Sequence, residues 1–170
     1  THNSSSAASD VYKRQGLGCH VCLLRPKSKG EVTLNSNDAF DSPKIDPKFF
    51  SEREDMDIMI KGYRKMMQIM DAEPLRPFTR KVQDPVDINS DADIEAAMRA
   101  RADTVYHPVG TCKMGSDEMS VVNHELKVHA LENVRVVDAS IMPTLVGGNT
   151  NAPTIMIGEK AADMIKSAWA

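Results

Sequence analysis

The chain has 170 residues, enough for one domain with its own core or for pieces of two. Its apolar and charged fractions, 41% and 26%, are those of a globular protein, and a formal net charge of −3 without any Lys/Arg stripe argues against a nucleic-acid surface. No apolar run approaches the length of a bilayer span, so no transmembrane helix is expected, and peripheral membrane association stays open.

Residues 1–15, THNSSSAASDVYKRQ, are polar and aperiodic, and read as a non-native or disordered tail. From Cys19 to Leu24 the residues are strand formers. Arg25 to Gly30 is a turn-rich break, and Glu31-Val32-Thr33-Leu34 alternates like a half-buried strand. Two short strands about a Gly-containing turn predict an antiparallel sheet. Residues 35–47 carry Asn, Asp, Ser and Pro at close intervals and predict a loop.

Ser51 is a candidate N-cap, followed by Glu52, Glu54 and Asp55. Met56, Met59, Ile60, Tyr63, Met66, Met67 and Met70 then recur at helical spacing, predicting an amphipathic helix over 52–71 that Pro74 and Pro77 end. The methionines on that stripe are core fillers rather than ligands. Residues 78–90 read as loop, and Asp91 caps a weaker helix over 92–102.

The last third differs. Thr104 to Gly115 is tight, with Pro108, Gly110 and Gly115. Val134-Arg135-Val136-Val137 predicts a strand ending at Asp138. Gly147-Gly148-Asn149-Thr150 reads as a flexible loop, and Asn151-Ala152-Pro153-Thr154 opens a helix running to Ser167, with Pro153 in its first turn. Ile155, Met156, Ile157, Ala161, Ala162, Met164 and Ile165 predict that this helix is largely buried. A helix start after a Gly-rich segment can hold an anionic group on its free N–H groups.

Read from the residues alone, a His beside a Pro is usually structural or solvated, an Asn before a helical Pro is usually an N-cap, and an Asp at a strand end is a turn former. Cys19-x-x-Cys22 invites a metal or redox reading. A zinc site needs a second ligand pair, and Cys112, His124 and His129 have irregular spacing, so no metal site is expected. Three cysteines do not form a disulfide framework and suit a reducing compartment.

Three ordered segments resemble the C-terminal signature of the glucose–methanol–choline (GMC) oxidoreductase family. They are Tyr106-His107-Pro108-Val109-Gly110-Thr111-Cys112-Lys113-Met114-Gly115, Val134 to Pro143, and Gly148-Asn149-Thr150-Asn151-Ala152-Pro153-Thr154 continuing to Ala162. Leu24 to Gly30 and Ile45-Asp46-Pro47 are similar to the family's substrate domain. The resemblance runs from about residue 16 to 165 and is nearest the choline and aliphatic-alcohol dehydrogenase branch.

The resemblance implies an α+β fold: residues 16–104 as the C-terminal part of an antiparallel-sheet substrate domain, and residues 105–170 as the closing strand and helix of an FAD-binding domain. It implies FAD as cofactor and a primary alcohol, choline or an aliphatic alcohol, as substrate. His107 would be the base toward the hydroxyl, and Asn151 its partner at a position that the family fills with His or Asn. Asp138, Ala139, Asn151, Ala152, Pro153 and Thr154 would contact FAD. The electron acceptor would be a quinone or carrier, and the location cytoplasmic or at the bacterial inner membrane. The family's G-x-G-x-x-G unit is not matched, because Gly16-Leu17-Gly18 is only an echo of it. The chain is therefore expected to be a fragment, inactive alone. Two alternatives are a cyanohydrin lyase of the same fold and a non-catalytic CxxC metal-binding module.

Overall fold

A computed structural model describes residues 18–169. The tail over 1–15, and Gly16 and Leu17 of the Gly-x-Gly echo, lie outside the described residues. The element order is β1 (Glu31–Thr33), β2 (Lys44–Asp46), α1 (Arg53–Met70), α2 (Asp91–Arg101) and α3 (Asn151–Trp169), with 3-10 turns at Glu73–Phe78 and Ala139–Ile141. Helices with a small antiparallel sheet make an α+β chain. Two compact units divide it, one of residues 18–22 with Asp57–Ala100 and the other of Leu23–Met56 with 101–169.

In the first unit, α1 follows the expected stripe, with Ile60 buried and Met59, Tyr63, Met66, Met67 and Met70 half-buried. Gly62 is small for a reason: a Cβ there would lie 2.6 Å from Val21 Cγ2. The helix ends at Met70, and Pro74 and Pro77 turn the chain into the 3-10 segment. The cap of α2 is Ser90, not Asp91, because the Ser90 hydroxyl accepts the Asp93 N–H at 3.2 Å. Asp91 instead sits in the first turn and pairs with Arg64. Cys19 to Leu24 forms no strand, since among the described residues no segment pairs with it and a ladder needs two sides.

The second unit holds the sheet. β1 pairs with β2 in the register Val32 opposite Ile45, so the partner of β1 comes from the segment expected to be loop. Lys44-Ile45-Asp46 is only three residues between Pro43 and Pro47, too short for its alternation to show. Both strands are exposed except Asp46, not half-buried as the alternation suggested. Gly30 begins the hairpin against the Asp46 carbonyl and Pro47, where a Cβ would overlap backbone. Gly30→Ala is expected to cost about 1–3 kcal/mol, read as a lower urea midpoint at constant slope.

The start of α1 is held from outside. Asp55 is 2% exposed and accepts the N–H groups of Lys27 (2.9 Å) and Ser28 (2.7 Å) and the Ser28 hydroxyl. Ser28 Oγ in turn accepts the Glu52 N–H at 3.1 Å, serving the helix end that Ser51 was expected to cap. Burial pushes the Asp55 carboxyl up. The Lys27 and Ser28 hydrogen bonds and the Lys27 charge outweigh that and leave it below its ordinary 3.8. A carboxyl held low in the folded state stabilises above its unfolded pKa and stops doing so as pH falls through the folded value. The stability gap between the parent and Asp55→Asn is expected to be constant above about pH 5 and to shrink below about pH 4, measured by urea unfolding across pH.

The core of this unit joins Val122, Leu126, Ile141, Met142, Ile157 and Ala161. Segment 112–114 lies along 140–141, with Cys112 N–H donating to Ser140 O (3.0 Å) and Met114 N–H to Ile141 O (2.8 Å). Val134 to Val137 is not a strand: it makes one isolated bridge, Arg135 to Lys127. Its neighbour turns at Asn123 to Leu126, so no ladder can extend. Helix α3 has the expected extent but buries a single stripe, Ile157 and Ala161, with Met164 and Ala162 half-buried. Ile155 and Met156 are each 58% exposed and Ile165 is also exposed, so the helix is not largely buried. Its apolar residues wrap around the cylinder, and this unit covers only one side of it.

Candidate active site

His107 lies in the turn-rich segment that follows α2 in the sequence. Tyr106 before it takes a left-handed backbone, φ 63°, and its ring is exposed. Gly110 after it takes φ 91°, which glycine adopts without strain. These two positions bend the chain around His107-Pro108-Val109. Val109 packs against the core and leaves the His107 ring half-buried.

The ring meets the start of α3. His107 Nδ1 lies 3.0 Å from Thr150 Oγ1, and the Asn149 Nδ2 group donates to His107 Nε2 at 2.8 Å. The Thr150 N–H also approaches Nδ1, at 3.5 Å. Thr150 is buried, and its carbonyl accepts both the Thr154 N–H (3.0 Å) and the Thr154 hydroxyl (2.7 Å). The segment read as a flexible loop therefore ends in two residues engaged with His107.

Asn149 and Thr150 were missed as site residues. The available signal was a Thr directly before a helix whose third residue is Pro153. Thr150, not Asn151, is the capping position, because the first helical bond runs from Thr154 N–H to Thr150 O. Asn151 is the first helical residue and is exposed, and the carboxamide bonded to His107 is that of Asn149, two residues earlier. Ala152 is exposed beside Asn151, while Pro153 and Thr154 are half-buried in the same turn.

Asp138 stands apart from His107 in the hydrogen-bond pattern. Its Oδ1 accepts the Ser140 N–H at 2.8 Å and the Ser140 hydroxyl, capping the 3-10 turn that Ala139 opens. Ala139 packs on the core. Cys19, Cys22 and Cys112 are free thiols, and no three His, Cys, Asp or Glu side chains among the described residues are grouped to hold a metal. Among the described residues no helix is long and apolar enough to cross a membrane.

The site as built is a half-buried imidazole, an exposed carboxamide on each side of a buried Thr, and the open N-terminus of a long helix. Such a group can accept a proton at one ring nitrogen beside donors able to hold an oxygen. Comparison with known proteins places the chain among oxidoreductases. The chain is 50% identical over 151 residues to an alcohol dehydrogenase [acceptor] of Pseudomonas putida, covering 88% of this chain and 27% of that protein. It is 43% identical over 159 residues to an oxygen-dependent choline dehydrogenase of Cronobacter sakazakii, covering 93% and 28%. A solved formate oxidase of Aspergillus oryzae RIB40, from work on FAD modification, superposes with a TM-score of 0.81 at 34% identity over 86% of this chain and 26% of that one. The chain thus spans just over a quarter of the length of these relatives. The sequence model described as GMC oxidoreductase matches residues 26–158, and the chain belongs to that family.

Proposed function

We propose that these residues supply the catalytic pair of an FAD-dependent oxidoreductase that acts on the CH–OH group of a primary alcohol, choline or an aliphatic alcohol. The observation that carries the reading is His107, held by its ring nitrogens against the residues that open α3. The activity belongs to a polypeptide of the relatives' length, and this segment by itself is inactive. In it, residues 16–104 serve the substrate domain and 105–170 the FAD domain, in the cytoplasm or peripherally associated with the bacterial inner membrane.

The start of α3 suits a flavin. The Asn151 and Ala152 N–H groups lie in the first turn, where a helix has no internal acceptors for them, and Pro153 presents no donor there at all. Together with the positive end of the helix dipole, they favour negative charge developing nearby. Asp138 Oδ1 is taken by Ser140, and its Oδ2 would accept from a hydroxyl of the ribityl chain, with Ala139 beside it. Bound FAD would supply the acceptor for the hydride of the alcohol carbon.

The protein's own part is proton handling and orientation. His107 takes the hydroxyl proton at Nε2, the nitrogen on the Asn149 side. The exposed Asn151 carboxamide donates to the substrate oxygen and holds it, since an amide has no basic nitrogen to compete for the proton. The electrons leave to a quinone or carrier. The test is aldehyde production from a panel of primary alcohols and choline, with a soluble quinone or with oxygen as acceptor. Aldehyde formed with quinone reduction is the expected result. Aldehyde matched by oxygen uptake would overturn the acceptor, and no aldehyde from any alcohol would overturn the reaction.

A further inference from the structure

Resting on the reading of His107 as base, we infer that Asn149 and Thr150 are the positioning residues that set its tautomer, with the proton on Nδ1 and the lone pair on Nε2. The argument starts at the helix. A Thr at a capping position ordinarily turns its hydroxyl to the second or third N–H of the helix. The third residue here is Pro153, which has no N–H. That leaves the Thr150 hydroxyl without one of its two usual targets, and it lies 3.0 Å from His107 Nδ1.

Its geometry is secured twice. Thr150 is 7% exposed, so water does not compete for the hydroxyl, and its carbonyl is fixed by the backbone and side chain of Thr154. On the other side of the ring, Asn149 presents its Nδ2 donor to Nε2 at 2.8 Å, and Nε2 accepts in that arrangement. A neutral imidazole that accepts at Nε2 carries its proton on Nδ1, and Thr150 Oγ1 receives it. The Thr150 N–H at 3.5 Å favours the opposite tautomer, but it sits at the limit of hydrogen-bond range, and the 2.8 Å Asn149 contact prevails, with the Thr150 hydroxyl able to accept from Nδ1.

The consequence concerns the substrate. The Asn149 amide occupies the lone pair that an alcohol hydroxyl needs. Asn149 is exposed and follows Gly147-Gly148, a backbone free to rotate, so the hydroxyl enters by replacing the amide at Nε2. The Thr150 contact persists through that exchange and keeps the base in the form that can take a proton.

The experiment is nitrogen-15 NMR of histidine-labelled, FAD-containing protein of the relatives' length, with the His107 signals assigned by their loss in His107→Gln. The parent is expected to show a protonated Nδ1 and a bare Nε2. Thr150→Val, close in shape, is expected to lose that preference, and Thr150→Ser to keep it. A protonated Nε2 in the parent, or the parent pattern unchanged in Thr150→Val, would overturn the inference. If the tautomer pattern holds while His107→Gln oxidises alcohols at the parent rate, the base assignment fails and the positioning does not.

Discussion

Exchanging His107 for alanine is expected to slow alcohol oxidation by about 10²- to 10⁴-fold, the usual range for removing a general base. That corresponds to roughly 3–5 kcal/mol of barrier. An alcohol hydroxyl is a weak acid, and nothing else in the hydrogen-bond network around Asn149 and Thr150 can take its proton. Asn149 and Asn151 are carboxamides, and Thr150 is a hydroxyl bonded to the ring. The loss should fall on kcat, because the proton is transferred on the way to the transition state and not on binding. His107 is half-buried at the margin of the core, so flavin content and thermal midpoint should stay close to the parent's. Single-turnover mixing of enzyme with alcohol measures the effect. A variant that reduces its flavin at the parent rate would remove His107 from the chemistry.

Ile157→Ala is expected to cost about 2–5 kcal/mol of stability, the range for truncating a buried aliphatic side chain. Ile157 is one of the two buried residues of α3, and it joins that helix to Val122, Leu126, Ile141 and Met142. Much of α3 is exposed on its other faces, so few other contacts in this unit can make up the loss. The same helix places Thr150 against His107. The variant should therefore lose activity at temperatures where the parent is still folded. Ile157→Val, which removes one methyl, should cost about 0.5–1.5 kcal/mol. Urea unfolding of the two variants gives the comparison, and equal midpoints for Ile157→Ala and the parent would mean that the cluster does not anchor the helix.

How much of this was legible depends on the distance over which each feature is decided. The helices were legible because their signals are local: the methionine stripe of α1, the prolines after Met70, and Pro153 at the start of α3. The strands were not. β1 was visible in its alternation, but its partner β2 is three residues between prolines, and Cys19 to Leu24 has strand composition but pairs with no segment among the described residues. Caps failed in a consistent way. Ser51, Asp91 and Asn151 were the obvious candidates, while Ser28, Ser90 and Thr150 fill the roles. Ser28 is distant in sequence, and the other two are shifted by one residue, a shift that composition does not resolve.

The site was legible in its motifs and not in its contacts. His107 and the start of α3 are 43 residues apart, and the resemblance to the family joined them before the fold did. The choice of Asn151 as the second active-site residue came from that pattern. The hydrogen bonds go to Asn149 and Thr150, and Asn151 is the exposed first residue of the helix beside them. The buried carboxylate of Asp55 was read only as a helix-start charge, since its partners at Lys27 and Ser28 lie in a separate turn.

The most direct test of the central claim is anaerobic. A polypeptide of the relatives' length is purified, and the visible absorbance of its bound flavin is followed as primary alcohols and choline are added. Bleaching by at least one of them, with one aldehyde formed per flavin reduced, is the predicted result. A bound flavin that none of these alcohols reduces, or a protein that binds no flavin, would contradict it.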